Sequence, residues 1–243
     1  MITANVRHRL TRHDAQLALT LIARGSGRTR DDAEAALRDA GIDALLDDPR
    51  LLEGLVRTPA GAAASWPLFC YVVVRHALRA HGTDDRTLAD YVAAVLEAFA
   101  LRDRAHRIAP HDDERYDTLA DLVRDAEAGD PRRAYLVRVH LGNYALWLAG
   151  CFPDRIAAQR QRRGGPDLDY YDALGARGYS LAAEHRLAHE QGLSPLFAEA
   201  ARRYVALRIA LNAVSDTLFF PHRHTPDRLL RQVRDESRWR LAS

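Results

Sequence analysis

Residues 130–150, DPRRAYLVRVHLGNYALWLAG, contain the pattern that decides the fold of this chain. Asp130 followed by Pro131 predicts a helix start, because an aspartate side chain can accept hydrogen bonds from the first free amides and proline is tolerated in the first turn. Gly150 predicts the end, since glycine is favoured just beyond a helix C-terminus. The same start and stop signals recur along the whole chain.

On the C-terminal side, these signals predict helices over residues 153–163, 167–191, 194–220 and 226–238. On the N-terminal side they predict helices over residues 12–24, 30–40, 42–46, 49–56, 67–80, 87–99 and 116–128, with breaks at Gly25-Ser26-Gly27 and at Gly129. No segment alternates between apolar and polar residues as a half-buried strand does. We therefore predict an all-α fold, a multi-helix bundle of about nine to eleven helices.

The N-terminal quarter of the chain differs from the rest in composition. Residues 1–60 contain short helices that are rich in charge and poor in aromatic side chains, and Gly61 to Ala64 is a predicted linker. We predict an N-terminal region, residues 1–60, that packs on a main helical bundle, residues 61–243. A small separate N-terminal subdomain is the alternative.

The composition excludes several kinds of chemistry. All 35 basic residues are arginine, and the absence of lysine rules out a Schiff-base lysine and a Walker A lysine. Abundant alanine, aspartate and arginine indicate a GC-rich bacterial genome. Cys70 and Cys151 lie in apolar segments without a second nearby cysteine, which argues against a cysteine-rich zinc site and against a disulfide framework. We predict no cofactor and assign no catalytic residue.

Charge and hydropathy indicate a soluble, cytoplasmic protein. The net charge of +2 is almost balanced, so no strong attraction to nucleic acid or anionic lipid is expected. No segment approaches the roughly 18 apolar residues of a membrane-spanning helix, and the amino terminus lacks the apolar stretch of a signal peptide. We predict no membrane association.

Arg155 to Arg163 is the densest basic segment and the one candidate for weak nucleic-acid binding. Single-stranded nucleic acid is usually held by aromatic side chains interleaved with such a basic surface. This segment has none, so a solvated helix face explains it better, and nucleic acid is not the expected partner.

Two histidine pairs are weak candidates for a metal site. His185 and His189 are one helical turn apart, and His222 and His224 flank Arg223. Neither pair has the neighbouring glutamate of a zinc-protease helix, and neither has an evident third ligand. We therefore predict no metal.

The most informative polar pattern lies between Tyr135 and Ser215. Candidate ligand-binding residues occur on three predicted helices, among apolar side chains: His140, Asn143, Tyr144, Tyr171, Arg208 and Asn212. Gly175 and Gly178 interrupt one of these helices at a cost of about 1 kcal/mol each relative to alanine, which indicates a close approach of a neighbouring backbone or a ligand.

Two interpretations of this pattern remain open. A buried Arg208 needs an acidic partner or an anionic ligand, and Asp169, Asp172 and Asp216 are available. The residues therefore form either a structural polar network or a pocket for a small molecule or anion. At the level of function, the first hypothesis is a noncatalytic interaction or regulatory protein with a homo-oligomer or another protein as its partner. A ligand-binding protein or enzyme is the alternative.

The same region resembles a pattern found in helical proteins of GC-rich bacteria that have no established activity. The resemblance covers roughly residues 135–220 and is carried by Leu141-Gly142, Tyr144, Gly150, Phe152-Pro153, Asp169-Tyr170-Tyr171, Leu174-Gly175 and Tyr179. It implies a shared helical fold and no particular chemistry.

Overall fold

The computed structural model describes residues 1–24, 30–101, 103–127 and 130–242, with side chains up to residue 238. Every regular element in these residues is helical, which confirms the all-α prediction. The described chain contains 14 α-helices, more than the predicted nine to eleven. The predicted breaks at Gly25-Ser26-Gly27 and at Gly129 lie outside the described residues.

The helices are α1 (Arg12–Arg24), α2 (Arg30–Ala40), α3 (Ile42–Leu46), α4 (Pro49–Arg57), α5 (Trp66–Ala80), α6 (Arg86–Phe99), α7 (Leu119–Ala126), α8 (Pro131–Cys151), α9 (Pro153–Arg163), α10 (Leu168–Ala183), α11 (Arg186–Glu190), α12 (Ser194–Arg202), α13 (Tyr204–Val214) and α14 (Pro226–Ala242). Short 3₁₀ turns occupy Arg7–Arg9, Pro59–Ala63 and Arg104–His106, and a π-helical turn occupies Ser215–Phe219.

Two of the additional helices arise where two long predicted helices are divided. The helix predicted over residues 167–191 breaks at His185, whose Nδ1 accepts a hydrogen bond from the amide of Leu187 (3.2 Å) and so begins α11. The helix predicted over residues 194–220 breaks at Arg203, which has non-helical torsion angles (φ −98°, ψ 11°). Neither break carries glycine or proline, the residues that usually signal one.

Helix α8 begins where its cap signal predicts, and helix α7 begins later than predicted. Asp130 accepts hydrogen bonds from the amides of Arg132 and Arg133 at the start of α8. Helix α7 begins at Leu119, three residues later than predicted from Tyr116. The reason is a capping box, in which the side chains of Thr118 and Asp121 each accept from the other residue's amide.

The described residues form two compact units. The N-terminal unit comprises Thr3–Ala80 and Asp84–Glu97, and therefore contains α1 to α5 and most of α6. The C-terminal unit comprises Met1–Ile2, His81–Thr83 and Ala98–Ser243. The predicted boundary at residues 60–61 lies inside the N-terminal unit, and the packing of residues 1–60 on the main bundle stays a prediction.

The N-terminal unit contains a buried arginine of its own. Arg75 on α5 is 1% exposed, and its Nε donates a hydrogen bond to Asp47 (2.8 Å). Partial burial of Asp47 acts to raise the pKa of its carboxyl group, but hydrogen bonds from Arg75 and Arg86 outweigh it and lower that pKa to about 2. Because Asp47 remains ionised, the buried Arg75 is neutralised within the unit.

Helix α8 is the central element of the C-terminal unit, where it packs against α7, α10 and α13. Helix α10 approaches it closely at Gly178. A Cβ atom at Gly178 would lie 2.9 Å from the carbonyl oxygen of Arg138 and 3.0 Å from the amide nitrogen of Gly142. The mid-helix glycine is therefore explained by contact between two helix backbones.

Helix α14 packs against α9 in the same unit. Within the described residues, no helix is both long enough and apolar enough to cross a membrane.

Candidate functional site

Four polar residues on α13 and just after it are buried and contact neighbouring helices: Tyr204, Arg208, Asn212 and Ser215. Arg208 is fully buried. Its Nε donates to both carboxylate oxygens of Asp172 on α10 (3.0 Å each), and its Nη1 donates to Asp235 on α14 (2.9 Å) and to Asn212 (2.9 Å). The cation is thus paired with two protein carboxylates, one of which, Asp235, was missed by the sequence prediction.

Asn212 and Ser215 hydrogen-bond to the C-terminal end of α8. The Asn212 side chain donates to the carbonyls of Ala149 and Gly150 (2.7 and 2.8 Å), and the Ser215 hydroxyl donates to that of Cys151 (2.7 Å). Carbonyls in the last turn of a helix have no partner within the helix. Asn212 and Ser215 therefore have a structural explanation that needs no ligand.

Asn143 lies at the interface between α8 and α10. Its Oδ1 accepts a hydrogen bond from the hydroxyl of Tyr179 (2.7 Å), and both side chains are buried. The hydroxyl of Tyr204 donates to the carbonyl oxygen of Gly142 (3.3 Å) nearby. Burial raises the pKa of Tyr204 well above its ordinary value, so its hydroxyl stays protonated and acts as a donor.

His140 and Tyr144 lie on another side of α8, in a row of aromatic rings. Their rings are stacked with centroids 6.1 Å apart, and the next ring, Trp147, is 6.1 Å from Tyr144. Nε2 of His140 lies 2.9 Å from the carbonyl oxygen of Ala105. Burial lowers the pKa of His140 to about 3, so the imidazole is neutral near pH 7 and donates to that carbonyl.

The structure brings the six predicted ligand-binding residues together only in part. Arg208 contacts Asn212, and His140 stacks on Tyr144. Tyr171 packs instead against a small apolar cluster formed by Ala149, Ile156 and Leu168. Asn212 also lines a cleft of about 260 Å³ that includes His81, Asp216 and Asp235.

The charged cluster around Arg208 extends along α14. Arg228 is held by Asp154 (2.8 Å) and Asp216 (3.3 Å), and Arg231 by Asp216 (2.7 Å). At the exposed edge, Asp169 pairs with Arg238 (3.0 Å) and lies 3.9 Å from Arg234. We call the whole set the arginine–aspartate network: Arg208, Arg228, Arg231, Arg234, Arg238, Asp154, Asp169, Asp172, Asp216 and Asp235.

The arginine–aspartate network is electrically balanced, since it contains five arginines and five aspartates. Burial raises the pKa of Asp172, against the opposing effect of Arg208. Because the protein supplies as many negative as positive groups, no anionic ligand is required to neutralise Arg208. The geometry favours the structural-network interpretation at this position.

Helix α14 presents its charged side to the protein and its apolar side to solvent. Arg228, Arg231 and Asp235 are at most 7% exposed. Leu229, Leu230 and Val233 are 59%, 70% and 64% exposed. At 3.6 residues per turn these two sets point in nearly opposite directions. We call the exposed set the apolar face of α14.

A cleft of about 560 Å³ lies beside the apolar face, between α9, the start of α10 and α14. Its apolar lining includes Leu230, Ile156 and Leu168, and its polar lining includes Arg160 and Arg231. The volume falls in the usual range for small-molecule pockets. This cleft was not predicted, because its lining comes from three helices that are separate in sequence.

The histidine pairs have other surroundings in the structure. The His185 ring caps α11 and stacks on Tyr135 with centroids 5.1 Å apart, and His222 and His224 are exposed. Among the described residues there is no group of three or more histidine, cysteine, aspartate or glutamate side chains suited to a metal ion.

The basic segment Arg155 to Arg163 corresponds to α9 with its exposed arginines. Arg160 forms an ion pair with Asp167 (2.9 Å), which reduces the positive charge at that end of the helix.

No protein-family model, curated protein or solved structure matches this chain, and the resemblance over residues 135–220 accordingly stays a prediction.

Proposed function

We propose that this protein acts by binding another protein through the apolar face of α14. The observation that carries the proposal is the orientation of this helix, with Arg228, Arg231 and Asp235 buried and Leu229 and Leu230 exposed. Surface helices of globular proteins normally show the reverse, with an apolar stripe toward the core. An exposed apolar patch with a polar border is typical of a protein interaction site.

The energetics of α14 support this interpretation. Burying apolar surface contributes about 25 cal/mol per Å², and α14 leaves that contribution unused on its outer side. Buried ion pairs contribute little net stability, because the desolvation of both charges offsets their attraction. The attachment of α14 therefore fixes its orientation more than it stabilises the fold, and a partner is needed to bury the apolar face.

The arginine–aspartate network also prevents the helix from rotating. A half-turn of α14 would bury Leu229 and Leu230 but would remove Asp235 from the fully buried Arg208. It would also remove Arg231 from Asp216. Unpaired buried charges cost about 3–5 kcal/mol in such cases. The network thus keeps the apolar face directed outward.

Site-specific photo-crosslinking in the native cells tests the proposal. A photoreactive amino acid replaces Val233 on the apolar face, and the matched control carries it at Ser180, an exposed position on α10. We expect a discrete protein adduct from position 233, lost when Leu229 and Leu230 are changed to glutamate, and none from position 180. Equal labelling from both positions, or no adduct from either, would contradict the proposal.

Small-molecule binding is the second candidate function, and the cleft between α9, α10 and α14 is the observation that favours it. A fragment library screened by ligand-observed NMR provides the test. Ala157→Trp would fill the cleft, and Ala198→Trp on α12 serves as the control. Fragments that bind the parent chain and the control variant but not Ala157→Trp would support this candidate, and an absence of such fragments would oppose it.

A further inference from the structure

A cleft of about 770 Å³ lies between the first half of α8, the end of α10 and the start of α11. It shares no lining residue with the apolar face of α14, so its ligand is independent of the proposed function. We infer that this cleft binds the phosphate group of a small molecule, held by Arg138 together with Arg132 and Arg186. The observation that carries the inference is the environment of Arg138.

Arg138 on α8 is half-buried, and its Nε is buried without a hydrogen-bond partner among the described residues. Every other buried or half-buried arginine in the described part of the chain reaches a carboxylate or carbonyl oxygen of the protein. Arg133, five residues earlier on the same helix, binds Asp125. Because an unpaired, partly buried cation is costly, Arg138 is suited to an anion from outside the chain.

Three further donors line the same cleft. The side chain of Arg132 is exposed and forms no hydrogen bond or ion pair with a described residue. Arg186 pairs with Glu190, but both side chains are exposed, and such a pair contributes little. Nδ1 of His185 accepts a hydrogen bond from the amide of Leu187 (3.2 Å), so the neutral ring carries its proton on Nε2, which is then a donor.

Two carboxylates also line the cleft, and neither is paired with an arginine side chain there. The two oxygens of Asp130 accept hydrogen bonds from the amides of Arg132 and Arg133 (3.1 and 3.3 Å). Glu184 is exposed and accepts a hydrogen bond from the hydroxyl of Ser180 (3.5 Å). The lining therefore carries three guanidinium groups against two carboxylates, which leaves a surplus of one positive charge.

The donor set favours a phosphate group over a carboxylate. Guanidinium groups bind phosphate oxygens in a fixed fork, and the donors here come from two helices and the residue that begins α11. A phosphate group offers three oxygens that point in different directions, whereas a carboxylate has two in one plane. Leu181 and Leu187 suit an apolar group attached to the phosphate. Nucleic acid fits less well, because the described lining has no tyrosine, phenylalanine or tryptophan on which a base would stack.

Titration of the full chain with phenyl phosphate, followed by phosphorus NMR at constant ionic strength, tests the inference. We expect saturable binding. Inorganic phosphate should compete about tenfold more weakly, because it lacks the ring that contacts the two leucines. Acetate should not compete at the same concentrations. An absence of saturable binding, or equal competition by acetate, would overturn the phosphate site.

Variants at the cleft locate the bound group. Arg138→Gln should weaken phenyl phosphate binding at least about tenfold, because it removes the half-buried guanidinium group. Arg138→Lys keeps the charge without the fork and should fall between the two. Glu184→Gln should strengthen binding about threefold, because it removes a negative charge beside the anion. Arg177→Gln, at an exposed position on α10 outside the lining, is the control and should leave the affinity unchanged.

Thermal unfolding distinguishes a ligand-binding arginine from a structural one. Without phosphate, Arg138→Gln should melt at or above the temperature of the parent chain, because it removes an unpaired, half-buried cation. Saturating phenyl phosphate should raise the melting temperature of the parent chain and not that of the variant. If the variant melted well below the parent chain without phosphate, Arg138 would serve the fold itself. If the variant bound phenyl phosphate as tightly as the parent chain, the anion would lie elsewhere. Either result would overturn the inference.

Discussion

Helices α8 and α14 belong to the same compact unit, yet they bury opposite kinds of side chain. Helix α8 buries mainly apolar and small residues, and its buried polar side chains His140 and Asn143 each have a hydrogen-bond partner. Helix α14 buries Arg228, Arg231 and Asp235 and exposes its leucines. The two helices therefore make different contributions to the protein.

The contacts of α8 stabilise the fold, because they remove apolar surface from water and bring backbones together at Gly178. The ion pairs of α14 determine which way the helix faces, while their desolvation offsets most of their attraction. The proposed interaction function would account for this orientation of α14. Changes at each helix should therefore have effects of different size and different pH dependence.

The largest effect is expected at Arg208, which is fully buried on α13 and pairs with Asp235 of α14. Arg208→Met should lower the free energy of unfolding by about 3–5 kcal/mol, because Asp172 and Asp235 would be left buried without their cation. Chemical denaturation followed by circular dichroism measures the loss. Arg202→Met, at an exposed position on α12, is the control and should leave stability almost unchanged.

A triple variant sharpens this result. Adding Asp172→Leu and Asp235→Leu to Arg208→Met replaces the charged cluster by apolar side chains, and such replacements of buried ion pairs are often neutral or stabilising. We expect most of the lost stability to return. If Arg208→Met alone were tolerated as well as Arg202→Met, the carboxylates would not depend on Arg208 and the network interpretation would be wrong.

The all-α class and most helix starts could be predicted from the sequence because they depend on local signals. Asp130 before Pro131 is such a signal, and it was used. The capping box of Thr118 and Asp121 is equally local, but the prediction overlooked it and began the helix at Tyr116. The breaks at His185 and Arg203 could not be predicted, since the one depends on a side-chain cap and the other on a non-helical torsion at an ordinary residue. Gly178, in the middle of a predicted helix, correctly indicated a close approach of a neighbouring backbone, which is that of α8 at Arg138 and Gly142.

The site was less predictable, because it depends on which helices meet. Asp172 was correctly named as an available partner for Arg208, but Asp169 and Asp216 pair with arginines of α14 instead. The alternation of charged and apolar positions in α14 is visible in the sequence. The helical period of these positions does not reveal which side of α14 faces the protein. The rule that the apolar side of a helix faces the core would have assigned the wrong side.

A second prediction concerns pH, to which α8 and α14 should respond differently. Folding holds the pKa of His140 near 3, while its ordinary value is 6.5. Below pH 6.5 the unfolded chain therefore binds a proton that the folded chain does not, so acid favours unfolding. Between pH 6.5 and pH 4.5, this histidine should remove about 1.4 kcal/mol of stability per pH unit.

The measurement is the free energy of unfolding as a function of pH for the parent chain and for His140→Gln. The difference between the two curves isolates the histidine from the carboxylates. The difference in free energy of unfolding between the parent chain and the variant should narrow as the pH falls from 6.5 to 4.5. Only the parent chain loses stability there, because only its unfolded state binds a proton at position 140. Parallel curves would show that His140 can be protonated in the folded protein. The arginines of α14 stay charged throughout and should add no slope here.

A third prediction tests the close packing of α8 and α10. Gly178→Ala should destabilise the protein by about 1–3 kcal/mol, because the added methyl group meets backbone atoms of Arg138 and Gly142, which cannot move independently. This net cost includes the better helix propensity of alanine. Gly165→Ala is the control, since its Cβ would lie 3.7 Å from the nearest backbone atoms. If Gly178→Ala were as stable as the control, α8 and α10 would not be in backbone contact.

The smallest effect is expected on the apolar face of α14. Leu229→Gln and Val233→Gln should each change the stability of the monomer by no more than about 0.5 kcal/mol, because both side chains are already more than half exposed. Leu207→Ala on α13, a fully buried leucine, should cost about 2–5 kcal/mol in the same assay. A large loss from Leu229→Gln in dilute monomer would mean that this chain itself covers the face. At concentrations where a partner or a second copy binds, binding stabilises the parent chain by mass action. The two glutamine variants should lack this added stability. At lower concentrations, where nothing binds, they should be about as stable as the parent chain.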